Sequence, residues 1–286
     1  VRRVCLLPVI LLAGLQQATA AADEFPAYVA TAAGVSFDAV QALPKRAPEQ
    51  RYDYGDSEQQ FAELWLPDSG DRHPLVIFIH GGCWLNAFAI DHSAALATAL
   101  TRAGYAVWNV EYRRVGDAGG GWPGSFEDIR SALELLAARK PPGLDLQRAV
   151  IAGHSAGGHL ALLAGSSILA DPVAGLEVRG IVGLAPITDI ERYSGGEGSC
   201  QAAAIEFMGS EPPQQPAAWR EANPAVLPLH PHTALMFGTG DRIIPPEQAR
   251  LGAWHIHWEP AGHFDWIYPG TPAWRVLLDR LETMLQ

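Results

Sequence analysis

Leu75 to His80 is an unbroken apolar run, L-V-I-F-I-H, with the length and β-branched character of a strand buried on both faces. Phe61 to Leu66 reads instead as an outer strand, because polar Glu63 interrupts its apolar residues. Ala106–Tyr112, Ala149–Ala152, Gly180–Leu184, Ala234–Phe237 and His255–Trp258 are further short runs of strand character. Helical segments alternate with them. His92–Ala103 and His159–Ala164 are rich in helix formers, Phe126–Arg139 is amphipathic and is followed by Pro141-Pro142, and Trp274–Leu285 closes the chain with a helix. This alternation predicts an α/β fold with a mostly parallel central sheet and helices on both faces. Asp189 to Pro231 breaks the rhythm. It is rich in Gly, Pro, Ala and Gln and has no clear strand, so 189–231 is read as a small lid or cap insertion; a long surface excursion is the alternative.

The chemistry centres on Gly153-His154-Ser155-Ala156-Gly157, a G-x-S-x-G between the predicted strand 149–152 and the predicted helix 159–164. A serine on a sharp strand-to-helix turn is exposed at the carboxyl edge of a sheet, and the glycines on either side avoid clashes within the turn. A nucleophilic serine needs a base, and the base needs an orienting acid. His263, in A-G-H-F-D-W, and Asp241, in G-T-G-D-R-I-I-P-P, each follow a predicted strand. Both therefore belong at the carboxyl edge, where open α/β sheets bind ligands. Ser155, Asp241 and His263 are the expected catalytic residues, and Asp189 is the alternative acid. Asp265 is read as ordering the His263 loop, and His154 and His159 as packing groups. His255 and His257 share a strand face, but no third ligand of fitting spacing accompanies them, so packing is preferred to a metal. Strand 75–80 runs into His80-Gly81-Gly82-Cys83-Trp84, where glycines let the backbone approach a substrate closely. The N–H groups of Gly81, Gly82 and Ala156 are the expected oxyanion hole.

Composition narrows the setting. The 286 residues are 48% hydrophobic and 18% charged, which suits one large globular domain, assigned to 23–286. The formal net charge of −11 argues against binding nucleic acid. The chain begins with basic Arg2 and Arg3, continues with an apolar stretch from Val4 to Leu15, and reaches the small-residue pattern Ala18-Thr19-Ala20. This order predicts a secretory signal peptide over 1–22, cleaved after Ala20 or alternatively Ala22, so that the product is secreted or periplasmic and keeps no stable membrane anchor. Cys83 and Cys200 then remain in an oxidising compartment, where pairing is open to them.

Taken together, H-G-G-C-W, N-V-E-Y-R-R, G-W-P-G-S-F-E-D and G-H-S-A-G-G-H-L resemble the α/β-hydrolases related to hormone-sensitive lipase, in their esterase and kynurenine-formamidase-like branch. The resemblance runs from about Leu64 to the end of the chain. It implies an α/β-hydrolase fold, Ser155 as nucleophile, Asp241 as acid, His263 as base, and Gly81 with Gly82 in the oxyanion hole. Arg113 and Asp128 match structural positions and are expected to form a salt bridge. The expected activity is a serine hydrolase acting on carboxylic esters of small or aromatic molecules through an acyl-enzyme, with no cofactor or metal. An arylformamidase using the same triad is the alternative, and the signal peptide counts against it. A prolyl-oligopeptidase-type peptidase lacks its usual extra domain here, and an inactive binding module does not fit an intact triad. Trp84, Trp122 and Trp266 are expected to face the site and to favour an apolar or aromatic substrate. The partner is a small-molecule ester or amide; the oligomeric state is left open.

Overall fold

The computed structural model describes Val1, residues 25–250 and residues 255–286. Apart from Val1, the predicted signal peptide lies outside the described residues. Eight strands form one sheet: β1 (Gln50–Asp53), β2 (Phe61–Trp65), β3 (Arg72–Ile79), β4 (Ala106–Val110), β5 (Gly143–His154), β6 (Val178–Leu184), β7 (Thr233–Gly238) and β8 (His255–Glu259). Their order is β1-β2-β4-β3-β5-β6-β7-β8. β1 and β2 are antiparallel, as are β2 and β4, and every pairing from β4 to β8 is parallel. The helices are α1 (Phe37–Gln41), α2 (Ala94–Arg102), α3 (Gly124–Arg139), α4 (Ala156–Ala170), α5 (Ile190–Ser194), α6 (Ser199–Met208), α7 (Pro216–Glu221) and α8 (Pro272–Leu285).

Both faces of the sheet are covered. Val76, Ile77, Phe78 and Ile79 point alternately to opposite faces, yet all four are buried. α4 packs on β3, β5 and β6 and is buried without interruption from Ala156 to Gly165, so it runs through the interior instead of along the surface. Such all-round burial needs an apolar helix without a polar face, which His159–Ala164 supplies.

Between β6 and β7 lie α5, α6, α7 and a short 3-10 turn at Pro224–Val226, with no strand. Residues 189–231, expected as an insertion, are thus a helical segment joining two neighbouring parallel strands. It is docked on the domain through Phe207, Met208 and Trp219, which join the main hydrophobic core. Cys200 at the start of α6 is disulfide-bonded to Cys83, with Cα atoms 5.1 Å apart. The expected outer strand, β2, has β1 outside it.

Candidate active site

β5 delivers His154 to the carboxyl edge of the sheet, and α4 starts at Ala156. Ser155 between them has φ 55° and ψ −119°. That conformation costs a non-glycine residue about 1–3 kcal/mol and persists only when its surroundings enforce it. They do: the Ser155 N–H donates to the Leu184 carbonyl (2.9 Å) and its carbonyl accepts from His159 N (3.0 Å). The tight turn also explains Gly157, where a Cβ would collide with the carbonyl oxygens of Ile79 and His80.

Asp241 follows β7. Its Oδ1 accepts from the N–H groups of Ile243 (2.8 Å) and Ile244 (2.9 Å), which leaves Oδ2 to accept from His263 Nδ1 at 2.8 Å. Both side chains are buried. Because a carboxylate only accepts, the proton of the neutral ring sits on Nδ1 and the lone pair is on Nε2. The His263 loop is held from two sides. His154 Nε2 donates to the His263 carbonyl at 2.9 Å. Burial, reinforced by the neighbouring His263, drives the His154 pKa well below the ordinary histidine value, so its ring is neutral and this bond uses its single N–H. Asp265 accepts from Gly262 N (2.7 Å), Gly34 N (2.8 Å) and Val35 N (2.8 Å), ordering the loop and fastening the segment before α1 to it. Asp189 is occupied elsewhere: it caps α5 by accepting from Arg192 N (3.1 Å) and also accepts from Asn223 Nδ2 (2.9 Å).

Ser155 and His263 open into one cavity of about 280 Å³, whose other lining residues are Phe37, Gly82, Cys83, Phe88, His92, His154, Cys200, Ile243 and Phe264. Its walls are chiefly aromatic and aliphatic, with the disulfide on one side. Among the described residues, the N–H groups of Gly81, Gly82, Cys83 and Ala156 take part in no turn, loop or cap hydrogen bond. Gly82 and Cys83 line the cavity, whereas Gly81 lies behind Ser155, where an added Cβ would come within 2.8 Å of the His154 carbonyl oxygen.

The three tryptophans are a correction. Trp84 and Trp266 are completely buried, and none of Trp84, Trp122 and Trp266 lines the cavity. Trp84 stacks on Phe207 at 5.0 Å and Trp122 stacks on Phe126 at 5.7 Å, so they dock the insertion and α3. The apolar wall comes instead from phenylalanines. Phe264 had a sequence signal, adjacency to His263; Phe37 had none, because α1 reaches the site from the far end of the chain. His257 Nε2 lies 3.0 Å from Glu259 Oε1; the side chain of His255 lies outside the described residues. Arg113 and Asp128 form a bidentate pair, Nη2 to Oδ1 at 2.7 Å and Nε to Oδ2 at 2.9 Å.

The sequence profile of the BD-FAE family matches residues 63–253, more than half of the chain. This chain belongs to the BD-FAE family. The match takes in the Gly81–Gly82 loop, the Ser155 elbow and Asp241. Among similar proteins, Esterase LipC of Mycobacterium tuberculosis is 28% identical over 215 residues, covering 69% of this chain and 52% of LipC. Probable carboxylesterase 4, mitochondrial, of Arabidopsis thaliana is 29% identical over 143 residues, covering 43% of this chain and 38% of that protein. This BD-FAE chain thus spans about half the length, or less, of the curated relatives it matches. The crystal structure of esterase B from Lactobacillus rhamnosis superimposes with a TM-score of 0.72 at 24% identity, covering 87% of this chain and 89% of the other. It shows the shared α/β-hydrolase fold.

Proposed function

We propose that this BD-FAE protein is a serine-dependent carboxylic ester hydrolase. The observation that carries the reading is the convergence of Ser155 and His263 on one apolar cavity, with Asp241 on the far nitrogen of the histidine ring. In this mechanism His263 Nε2 takes the Ser155 proton as Oγ attacks the acyl carbon. The N–H groups of Gly82, Cys83 and Ala156 meet the negative charge that develops on the carbonyl oxygen. Asp241 keeps the productive tautomer and stabilises the imidazolium. His263 then passes its proton to the departing alcohol, and water clears the acyl-enzyme by the same steps. LipC and carboxylesterase 4, by their names, are ester hydrolases, which supports the same reaction class here.

The size and lining of the cavity point to a short or compact acyl group. A site of about 280 Å³ is at the lower end of ligand pockets. The helical insertion acts as a cap at one side, contributing Cys200 to the wall. The assay is hydrolysis of p-nitrophenyl esters of graded acyl length beside N-formylkynurenine, with Ser155→Ala as control. Preference for short acyl esters, abolished in the variant, is the expected result. Preference for the formamide would replace the ester reading. Export is part of the proposal, carried by the order of basic, apolar and small residues in the first 22 positions. Mass spectrometry of the native product should find its amino terminus at Ala21 or Asp23.

A further inference from the structure

Beneath the Gly81–Gly82 loop lies a buried cluster of charged groups that the triad does not use. His80 is 0% exposed and Glu111 is 2% exposed. His80 Nδ1 lies 2.8 Å from the Gly81 carbonyl oxygen, and His80 Nε2 lies 2.8 Å from Glu111 Oε1. Both partners are acceptors. A neutral imidazole has one N–H, so one of these contacts would set a lone pair against a lone pair. A proton on Glu111 would also satisfy both contacts, with Glu111 donating to His80 Nε2, but the surroundings of Glu111 argue against it. Glu111 Oε1 also accepts from Tyr112 N (2.9 Å) and Oε2 accepts from Ile90 N (2.9 Å), while Arg114 Nη1 lies 3.3 Å from Oε1. That surrounding belongs to an ionised carboxylate. Burial alone would raise the Glu111 pKa, but the charge and hydrogen bond of His80, with help from Arg114 and Tyr112 N, bring it below the ordinary glutamate value.

We propose that His80 is a buried imidazolium, held by Glu111, whose Nδ1–H orients and polarises the Gly81–Gly82 peptide for the oxyanion hole. The inference rests on the serine-hydrolase reading above. The groups facing the pair include a further carboxyl, Glu63 on β2, whose pKa is raised by burial and, further, by the charge of Glu111. Arg114 is a cation that also meets Asp117, at 3.6 Å from Nε, so His80 and Arg114 balance Glu111 and Asp117. Tyr112 stacks on the His80 ring at 4.6 Å and donates its hydroxyl to the His80 carbonyl at 3.0 Å. Tyr54 donates its hydroxyl to the Glu111 carbonyl at 2.7 Å. His92 meets the His80 ring edge-on at 5.4 Å and is neutral, because burial, together with the nearby His80, lowers its pKa to about 3.

The link to catalysis is one peptide plane. Among the described residues the Trp122–Pro123 bond is the only cis peptide, so Gly81–Gly82 is trans. In a trans peptide the carbonyl and the N–H point in opposite directions. With the Gly81 carbonyl turned to His80, the Gly82 N–H faces away from it, and Gly82 lines the Ser155 cavity. A charged donor on the carbonyl draws electron density through the amide and strengthens the N–H as a donor. Glu111 is thereby a positioning residue, acting on the oxyanion through His80 without touching substrate.

The direct test is nitrogen-15 NMR of the intact protein labelled at histidine, at pH 7.5, with His80 assigned from the signals missing in His80→Gln. Both His80 ring nitrogens should be protonated; a single unprotonated ring nitrogen overturns the proposal. Kinetics test the consequence. Glu111→Gln keeps an acceptor for Ile90 N but removes the charge, and should lower kcat about tenfold or more with KM little changed, since loss of a whole oxyanion donor costs about 100-fold to 1000-fold. An unchanged kcat, or a change confined to KM, in the folded variant overturns it. Should Glu111→Gln fail to fold, the NMR measurement on the wild-type chain decides alone. Ser155→Ala separates the two levels: activity surviving there refutes the serine reading, whereas normal kcat in Glu111→Gln beside an inactive Ser155→Ala refutes this inference only.

Discussion

His159, on α4 one turn after the Ser155 turn, should make the fold acid-sensitive. Its ring is completely buried, edge-on to Trp84 and Phe207 at 5.3 and 5.9 Å. Nε2 donates to the Ala222 carbonyl of the insertion at 2.7 Å, and Nδ1 has no partner among the described residues. Protonation would place a second N–H where nothing accepts it. Burial, partly offset by the bond to Ala222, accordingly lowers the pKa from 6.5 to about 4. The unfolded chain therefore takes up this proton before the folded one does. The stabilisation is full above pH 6.5 and is lost as pH falls from there toward 4. At ~1.36 kcal/mol per pH unit, the displacement from 6.5 to about 4 amounts to about 3 kcal/mol, most of it lost by pH 4.5. The perturbation is His159→Gln, which keeps a side-chain N–H for Ala222 and does not titrate. Urea unfolding at pH 7.5 and 4.5 gives the loss for each protein. His92 and His154 push the wild type in the same direction, so the difference between the two losses isolates His159. The wild type should lose about 2–3 kcal/mol more than the variant. Equal losses would refute the reasoning.

The orienting acid is tested by Asp241→Asn, which should reduce kcat by about 10⁴-fold through the wrong His263 tautomer, while Asp189→Asn leaves kcat near that of the wild type because Asp189 only caps α5 and meets Asn223. The reverse pattern would transfer the role to Asp189. Phe37→Ala removes one wall of the cavity and should shift relative kcat/KM toward longer acyl chains by about 1–3 kcal/mol, roughly tenfold to two-hundredfold; an unchanged ranking would show that α1 does not shape the pocket.

The parts of this fold that the sequence announces are those whose burial is continuous. β3 is legible because both its faces are covered, so every position from Leu75 to Ile79 is apolar. β1 gave no signal: it is an edge strand, and Gln50, Arg51 and Asp53 are exposed. The candidate triad was legible because Ser155, Asp241 and His263 each sit just past a strand, and strand ends fix where a loop begins. They do not fix where its side chains point. Trp84 follows the Gly-Gly loop, but Cys83 and Trp84 take positive φ (53° and 58°), and the indole lies buried against Phe207 and not in the cavity. The pocket walls were least legible, since Phe37, Phe88, Ile243 and Phe264 come from four separate segments that only the folded chain brings together.

The central claim is that Ser155 is the nucleophile, and active-site titration with a fluorophosphonate tests it most directly. Peptide mass spectrometry of the treated wild type should place one phosphonyl adduct on Ser155, with loss of esterase activity in step with labelling and no adduct in a folded Ser155→Ala variant. An adduct on another residue, or full activity in protein fully labelled at Ser155, would contradict the account.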